Sequence, residues 1–131
     1  MNILITDDHP NVRRGLRELL TDSFPGTEFS EACNGDEVFA QLLLLLPDLM
    51  LLDINMPGRS GFEVLKYLRK SYTFIPVIMV SVQPENQYAM RCLQAGATAY
   101  INKSNAPEDL VPAIKKILEN AAKLTCNPIL N

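Results

Sequence analysis

Five short apolar runs, each followed by a stretch with helical periodicity, constrain this chain more than any other feature of its sequence. The runs are Ile3 to Thr6, Glu28 to Cys33, Leu49 to Asp53, Val77 to Ser81 and Ala99 to Asn102. Most are continuously apolar rather than alternating, which is the pattern of strands covered on both faces. In the stretches between them, Val12, Leu16, Leu19 and Leu20 fall at i, i+4, i+7 and i+8, and Leu110, Ile114, Ile117 and Leu118 repeat that spacing. Both read as amphipathic helices.

The punctuation agrees. Pro47 stops the second helix, Ser60 with Glu63 forms a capping box for the third, and Gly96 sits where the fourth needs a C-terminal stop. Pro107, Glu108 and Asp109 suit the first turn of the fifth, where a missing N–H costs nothing and negative charge meets the helix dipole. Right-handed crossovers between such units predict an α/β fold: a doubly wound five-stranded parallel sheet, flavodoxin-like, order 2-1-3-4-5, with five helices. With 131 residues, 47% of them hydrophobic, the chain has the length and apolar content of one domain. That domain is expected over residues 1–121. Residues 122–131, which include Pro128, read as a surface strap or the start of an interdomain linker.

Several function classes are disfavoured. A net charge of -3 argues against direct contact of this domain with a phosphate backbone, which needs clustered Lys and Arg. Cys33, Cys92 and Cys126 are odd in number and widely spaced, with a single histidine for company, so neither a disulfide framework nor a zinc set is expected. A reducing cytoplasm fits. The start MNILITDDHP lacks a basic flank, so no secretory signal is read there, and the apolar stretch Leu42 to Leu46 is far short of the roughly 20 residues a membrane span needs.

In an open parallel sheet, ligands bind beyond the carboxyl ends of the strands, where strand order reverses. Strand one ends in Asp7 and Asp8, strand three in Asp53, strand four in Ser81, and strand five in Asn102 and Lys103. If strands one and three are neighbours, three carboxylates crowd together, and each like-charge pair at ~4 Å costs ~4 kcal/mol at an effective dielectric of ~20. A hard divalent cation relieves that repulsion, and all-oxygen ligation favours Mg2+, with Mn2+ as a substitute. Phosphoryl transfer asks a protein for an in-line nucleophile, a metal on the phosphoryl oxygens and further donors for the remaining charge. Asp53 offers the carboxylate nucleophile, Lys103 an ammonium and Ser81 a hydroxyl. Pro57 and Gly58 fit the centre of a type II turn, which would fold the segment after Asp53 over the site and present the Asn55 backbone carbonyl to the metal.

At this point the residues resemble the receiver domain of two-component response regulators, from Asn2 to about Ala121. The phrases ITDDHP, LLDINMPGRSGFEVL, VIMVS and AGATAYINKS carry the resemblance in order, spacing and placement on strands. It implies that Asp7 and Asp8 hold Mg2+ with Asp53, that Asn55 lends its carbonyl, and that Asp53 takes phosphate from a sensor histidine kinase. It further implies that Ser81 and Lys103 bind the phosphoryl group, and that Tyr100 is an aromatic switch that swings inward with Ser81. The DDHP start followed by VRRGL looks most like the NarL/FixJ subgroup, whose members usually carry a C-terminal LuxR-type helix-turn-helix. The implied partners are therefore the kinase, a second copy on phosphorylation, and an output domain beyond this chain. Two departures stand out: Ser104 follows Lys103 where many receivers have proline, which bears on the loop geometry there, and Val82 follows Ser81 where a smaller residue is common.

Two rivals are weighed against this reading. A phosphatase with an aspartyl-phosphate intermediate usually needs a second Asp two residues after the nucleophile, and here that position is Asn55; an enzyme acting on external substrates is not expected. A receiver-like or stand-alone interaction module would not need the complete acidic, Ser and Lys set. Outside the set, His9 reads as an exposed first-turn residue beside Pro10, and Arg13 with Arg14 as a solvated face. The methionines read as core filler; Leu42 to Leu46 cannot all face inward on one amphipathic helix, so they read either as a partly exposed sticky patch or, slightly favoured, as a stretch buried beneath a neighbouring segment.

Overall fold

The computed structural model describes residues 1–125, with side chains described through 122. Strands β1 (Asn2–Thr6), β2 (Glu28–Ala32), β3 (Leu49–Leu52), β4 (Val77–Ser81) and β5 (Ala99–Asn102) alternate with helices α1 (Pro10–Ser23), α2 (Gly35–Leu44), α3 (Gly61–Ser71), α4 (Glu85–Gln94) and α5 (Ala106–Thr125). They form one parallel sheet in the order β2-β1-β3-β4-β5. The expected strand order and helix count are both met. Helix α5 continues past Ala121 to Thr125, so the pattern break expected at residue 122 does not end the helix there, and Pro128 lies outside the described residues.

The continuous apolar strands serve two cores because successive side chains point to opposite faces. Leu4, Met50, Leu52, Val77 and Met79 face Val38 and Leu42 of α2, Val64, Leu65 and Leu68 of α3, and Cys92 of α4. Ile3, Ile5, Leu49, Leu51, Ile78 and Val80 face Leu16 and Leu20 of α1, with Leu110 and Ile114 of α5. Each such buried aliphatic side chain is worth about 1.5–3 kcal/mol. Only the edge strand β2, with the sequence EFSEA, is largely half-exposed.

Helix ends follow from local chemistry. The Ser60 hydroxyl accepts from Glu63 N at 3.3 Å, half of the anticipated capping box. Asn34, not singled out from sequence, caps α2 reciprocally: its Oδ1 accepts from Glu37 N at 2.9 Å while Glu37 Oε1 accepts from Cys33 N at 2.8 Å. Gly96 closes α4 at φ +108°, with Ala97 N donating to Cys92 O at 2.9 Å.

The stretch Leu42 to Leu46 departs from expectation. Leu42 is buried, but Leu43 and Leu44 are 84% and 79% exposed, and Leu45 and Leu46 about half so. The cause is the anchoring that follows: Asn2 N donates to Asp48 Oδ2 at 2.7 Å and Asp48 N to Asn2 O at 2.8 Å. With Leu45 already extended after α2 and residue 48 tied to β1, only one face of the helix reaches the sheet. Leu42→Ala should therefore lower the unfolding free energy by about 2–5 kcal/mol. Leu43→Gln should change it by less than about 0.5 kcal/mol, as measured by urea denaturation.

Candidate functional site

Four of the five strands end at or just before the residues singled out from sequence. Strand β3 stops at Leu52, so Asp53 is the first residue released from the sheet, although its N–H still donates to Thr6 O at 3.0 Å. Asp7 N likewise donates to Ala32 O at 3.1 Å. These bonds fix both backbones and leave both side chains at the rim, where Asp7 is 1% exposed and Asp53 3%.

Lys103 joins them. Its ammonium lies 2.6 Å from Asp7 Oδ2 and 3.5 Å from Asp53 Oδ2. From sequence, the carboxylate repulsion was assigned to a cation for relief; in this structure the protein's own lysine supplies part of that relief. Burial pushes the Asp53 carboxyl above its ordinary range; Lys103 pulls it down, the Asp7 charge pushes it up, and a hydrogen bond from the Asn55 backbone pulls it down.

A raised folded-state pKa means that stability is fully present below the unfolded value near 3.8 and is lost as pH rises through the folded value. Asp53→Asn removes that loss. In metal-free buffer at pH 7 the variant should melt at a higher temperature than wild type, with the difference shrinking as pH falls toward 4.

Asp7, Asp8 and His9 form a compact group in which one potential ligand atom from each lies within 4.8 Å of the others. Asp7 Oδ1 accepts from His9 N at 2.9 Å and meets His9 Nδ1 at 3.2 Å, while Asp8 Oδ1 faces the same nitrogen at 3.0 Å. Neither aspartate caps α1; its N-cap is His9, whose side chain makes no capping bond. Among the described residues, the buried side-chain oxygens without a hydrogen-bond partner are Thr6 Oγ1, Asp8 Oδ1 and Asp53 Oδ1. All three lie at the adjoining ends of β1 and β3. Two are carboxylate oxygens, so the donor set fits a hard divalent cation, which would give them the partner they lack.

Ser81, on β4, is fully buried; its hydroxyl accepts from Gln83 N at 3.1 Å and hydrogen-bonds with Tyr100. Tyr100 is only 8% exposed, and its hydroxyl donates to Gln83 O at 2.7 Å. It thus points inward. Asn102 Nδ2 donates to the same carbonyl at 3.2 Å. Its Oδ1 accepts from Ser104 N at 3.0 Å and Ser104 Oγ at 2.7 Å, which builds the short 3-10 turn Lys103–Asn105 without the proline common at that position. Val82, beside Ser81, is exposed.

The segment after Asp53 folds over the rim as its turn residues required, with Gly58 at φ +78° after Pro57. A groove there is lined by Asp8, Asn55, Met56, Pro57, Ser60 and Glu63. Gly61 holds this segment down: its N–H donates to Ile54 O at 2.7 Å, and a Cβ on it would overlap Asp53 O and stand 2.8 Å from Ile54 Cα. Its role was not recognised from sequence, where Gly after a capping serine reads as an ordinary helix start. Gly61→Ala should cost about 1–3 kcal/mol of stability and weaken whatever Asp53 binds, measured by denaturation and metal titration.

The remaining expectations concern cysteines and membranes. Cys33 and Cys92 are free, burial pushes the Cys92 thiol up to about 11, and Cys126 lies outside the described residues. No helix among the described residues is long and apolar enough to cross a membrane.

A doubly wound sheet with an acidic rim, a lysine across it and a buried serine beside it defines a class of protein, and comparison with known proteins agrees. The response regulator receiver domain model matches residues 3–115, and the chain belongs to that family. It is 38% identical over 112 residues to the nitrate/nitrite response regulator protein NarL of Escherichia coli, covering 86% of this chain and 52% of NarL. A two-component response regulator of the LuxR family from Aurantimonas superposes with a TM-score of 0.83 at 31% identity, over 91% of this chain and 85% of that one. The response regulator TrrA of Thermotoga maritima, solved with Mg2+ and BeF, superposes with a TM-score of 0.77 at 33% identity, over 88% and 96% of the two chains. The chain spans about half the length of curated relatives such as NarL and the Escherichia coli response regulator UvrY. These matches support a receiver domain of the NarL/FixJ type.

Proposed function

We propose that this receiver is switched by transfer of a phosphoryl group from a sensor histidine kinase onto Asp53, and that it governs a DNA-binding helix-turn-helix domain beyond this chain. The observation that carries the reading is the set of buried, unpartnered oxygens on Asp8 and Asp53 beside the Lys103 ammonium. Asp8 and Asp53, with Asp7 and the Asn55 carbonyl, would hold Mg2+ or Mn2+, which receiver domains generally use. When bound, the cation supplies charge neutralisation for the phosphoryl oxygens. TrrA, whose structure contains Mg2+ and BeF, supports that assignment.

In the transfer, an Asp53 carboxylate oxygen attacks phosphorus, the P–N bond of the kinase phosphohistidine breaks, and the imidazole leaves with the bonding pair. Lys103 then exchanges part of its contact with Asp7 and Asp53 for a phosphoryl oxygen, and the Ser81 hydroxyl turns from Gln83 N toward another. Because Ser81 also touches Tyr100, that turn reaches the surface of α4, β5 and α5. Phosphorylation would favour the arrangement in which Tyr100 lies inward. The chain catalyses at most its own phosphorylation and dephosphorylation, in the cytoplasm. An amide at position 55 cannot serve as the general acid that a phosphatase of external esters needs there. Stable pairing with a second copy is assigned to the phosphorylated form.

Incubation with Mg2+ and acetyl phosphate should add one phosphoryl group, read by intact mass, and Asp53→Asn should add none. An equal gain in the variant would remove Asp53 as the acceptor.

A further inference from the structure

His9 was set aside from sequence as an exposed first-turn residue. Its ring is indeed 67% exposed, yet it faces the carboxylates. Pro10 at the first helical position and the extended backbone of His9 (φ -102°, ψ 112°) aim the side chain away from α1, and no capping bond uses it. Nδ1 stands 3.2 Å from Asp7 Oδ1 and 3.0 Å from Asp8 Oδ1.

One N–H cannot account for both contacts. If Nδ1 carries the proton, it serves Asp7 Oδ1, and Asp8 Oδ1 is left as the buried, unpartnered oxygen that it is. If Nε2 carries it, a nitrogen lone pair faces two carboxylate oxygens. A cation among the three atoms answers the second case, in which the Nδ1 lone pair and both carboxylate oxygens become its ligands. The spacing suits it: two neighbouring ligands ~2.1 Å from an octahedral metal stand about 3.0 Å apart. Asp53 Oδ1, on a side chain that is 3% exposed, is a further unpartnered oxygen at the same rim. The exposed ring leaves the approach to the group open to solvent.

We propose that His9 Nδ1 is a ligand of the divalent cation at this site, and that it tilts the site from Mg2+ toward first-row transition ions. This rests on the cation site assigned under the proposed function. Imidazole nitrogen is a borderline ligand that adds little to Mg2+, a hard ion that prefers oxygen, and much to ions later in the series such as Co2+. The receiver would then respond to which divalent ion is present as well as to its kinase.

Co2+ and Mg2+ should be titrated by calorimetry into the intact wild-type chain, His9→Ala and His9→Gln, with the visible d–d absorption of bound Co2+ recorded for each. Thermal melts of the metal-free proteins verify that the exposed substitutions leave the fold intact. The expected result is a loss of Co2+ affinity of roughly tenfold or more and an altered d–d spectrum in both variants, with Mg2+ affinity within about twofold of wild type. Equal loss for both ions, or no change for either with an identical spectrum, would overturn ligation by His9 while leaving the carboxylate site standing. Failure of the wild-type chain to bind Mg2+ or Co2+ at all would overturn the site itself, and this proposal with it.

Discussion

The structure depends on one electrostatic constraint: two aspartates, Asp7 and Asp53, are almost wholly buried on neighbouring strands and share a single ammonium. Removing such charges from water costs several kcal/mol each, and ion pairing repays that only where geometry is good. Lys103 has good geometry to Asp7 and a looser contact to Asp53, so the burial of Asp53 is incompletely offset and its carboxyl is pushed upward. The residue proposed to accept phosphate is thus one whose buried charge is only partly offset. A bound cation and the phosphoryl transfer both act on that deficit.

Everything that brings those groups together is a consequence of parallel pairing. Parallel strands expose all their carboxyl ends on one edge, and β1 and β3 are adjacent because the order reverses at β1. The apolar runs secure that geometry by filling two cores at once, with Ile3 and Ile5 serving one face and Leu4 the other. Gly61 then lets the loop after Asp53 lie against its own strand end, a closeness that a methyl group would forbid. The backbone of the acidic rim is therefore held in place by these contacts.

Much of this was legible in the sequence, because period and punctuation report local physics directly. Continuous apolar runs marked the strands, and Asp7, Asp8, Asp53, Ser81 and Lys103 could be placed at strand ends before any coordinates. What escaped had a cause in tertiary geometry. Gln83 matters through its carbonyl, which gathers Tyr100 and Asn102, and a backbone group has no signature in residue identity. Leu43 to Leu46 looked like core by hydropathy, but their exposure is set by the tie between Asn2 and Asp48, which no window around residue 44 contains. The exposure of His9 was legible, but exposure of a ring does not say which neighbours its nitrogen faces, and these are Asp7 and Asp8.

The same geometry explains how a change at the rim can travel. Ser81 Oγ holds Gln83 N, Gln83 O holds Tyr100 and Asn102, and Asn102 Oδ1 builds the turn that begins at Lys103. Ser81 thus begins a hydrogen-bonded chain that runs through Gln83 and Asn102 and ends on Ser104, the residue after Lys103. Turning the Ser81 hydroxyl away would strip Gln83 N of its acceptor, at about 1–3 kcal/mol, unless the rest of the chain re-pairs with it. Such a chain favours two discrete arrangements over a graded one. Tyr100, held by the carbonyl at its middle, is the member whose displacement the α4 and β5 surface would feel.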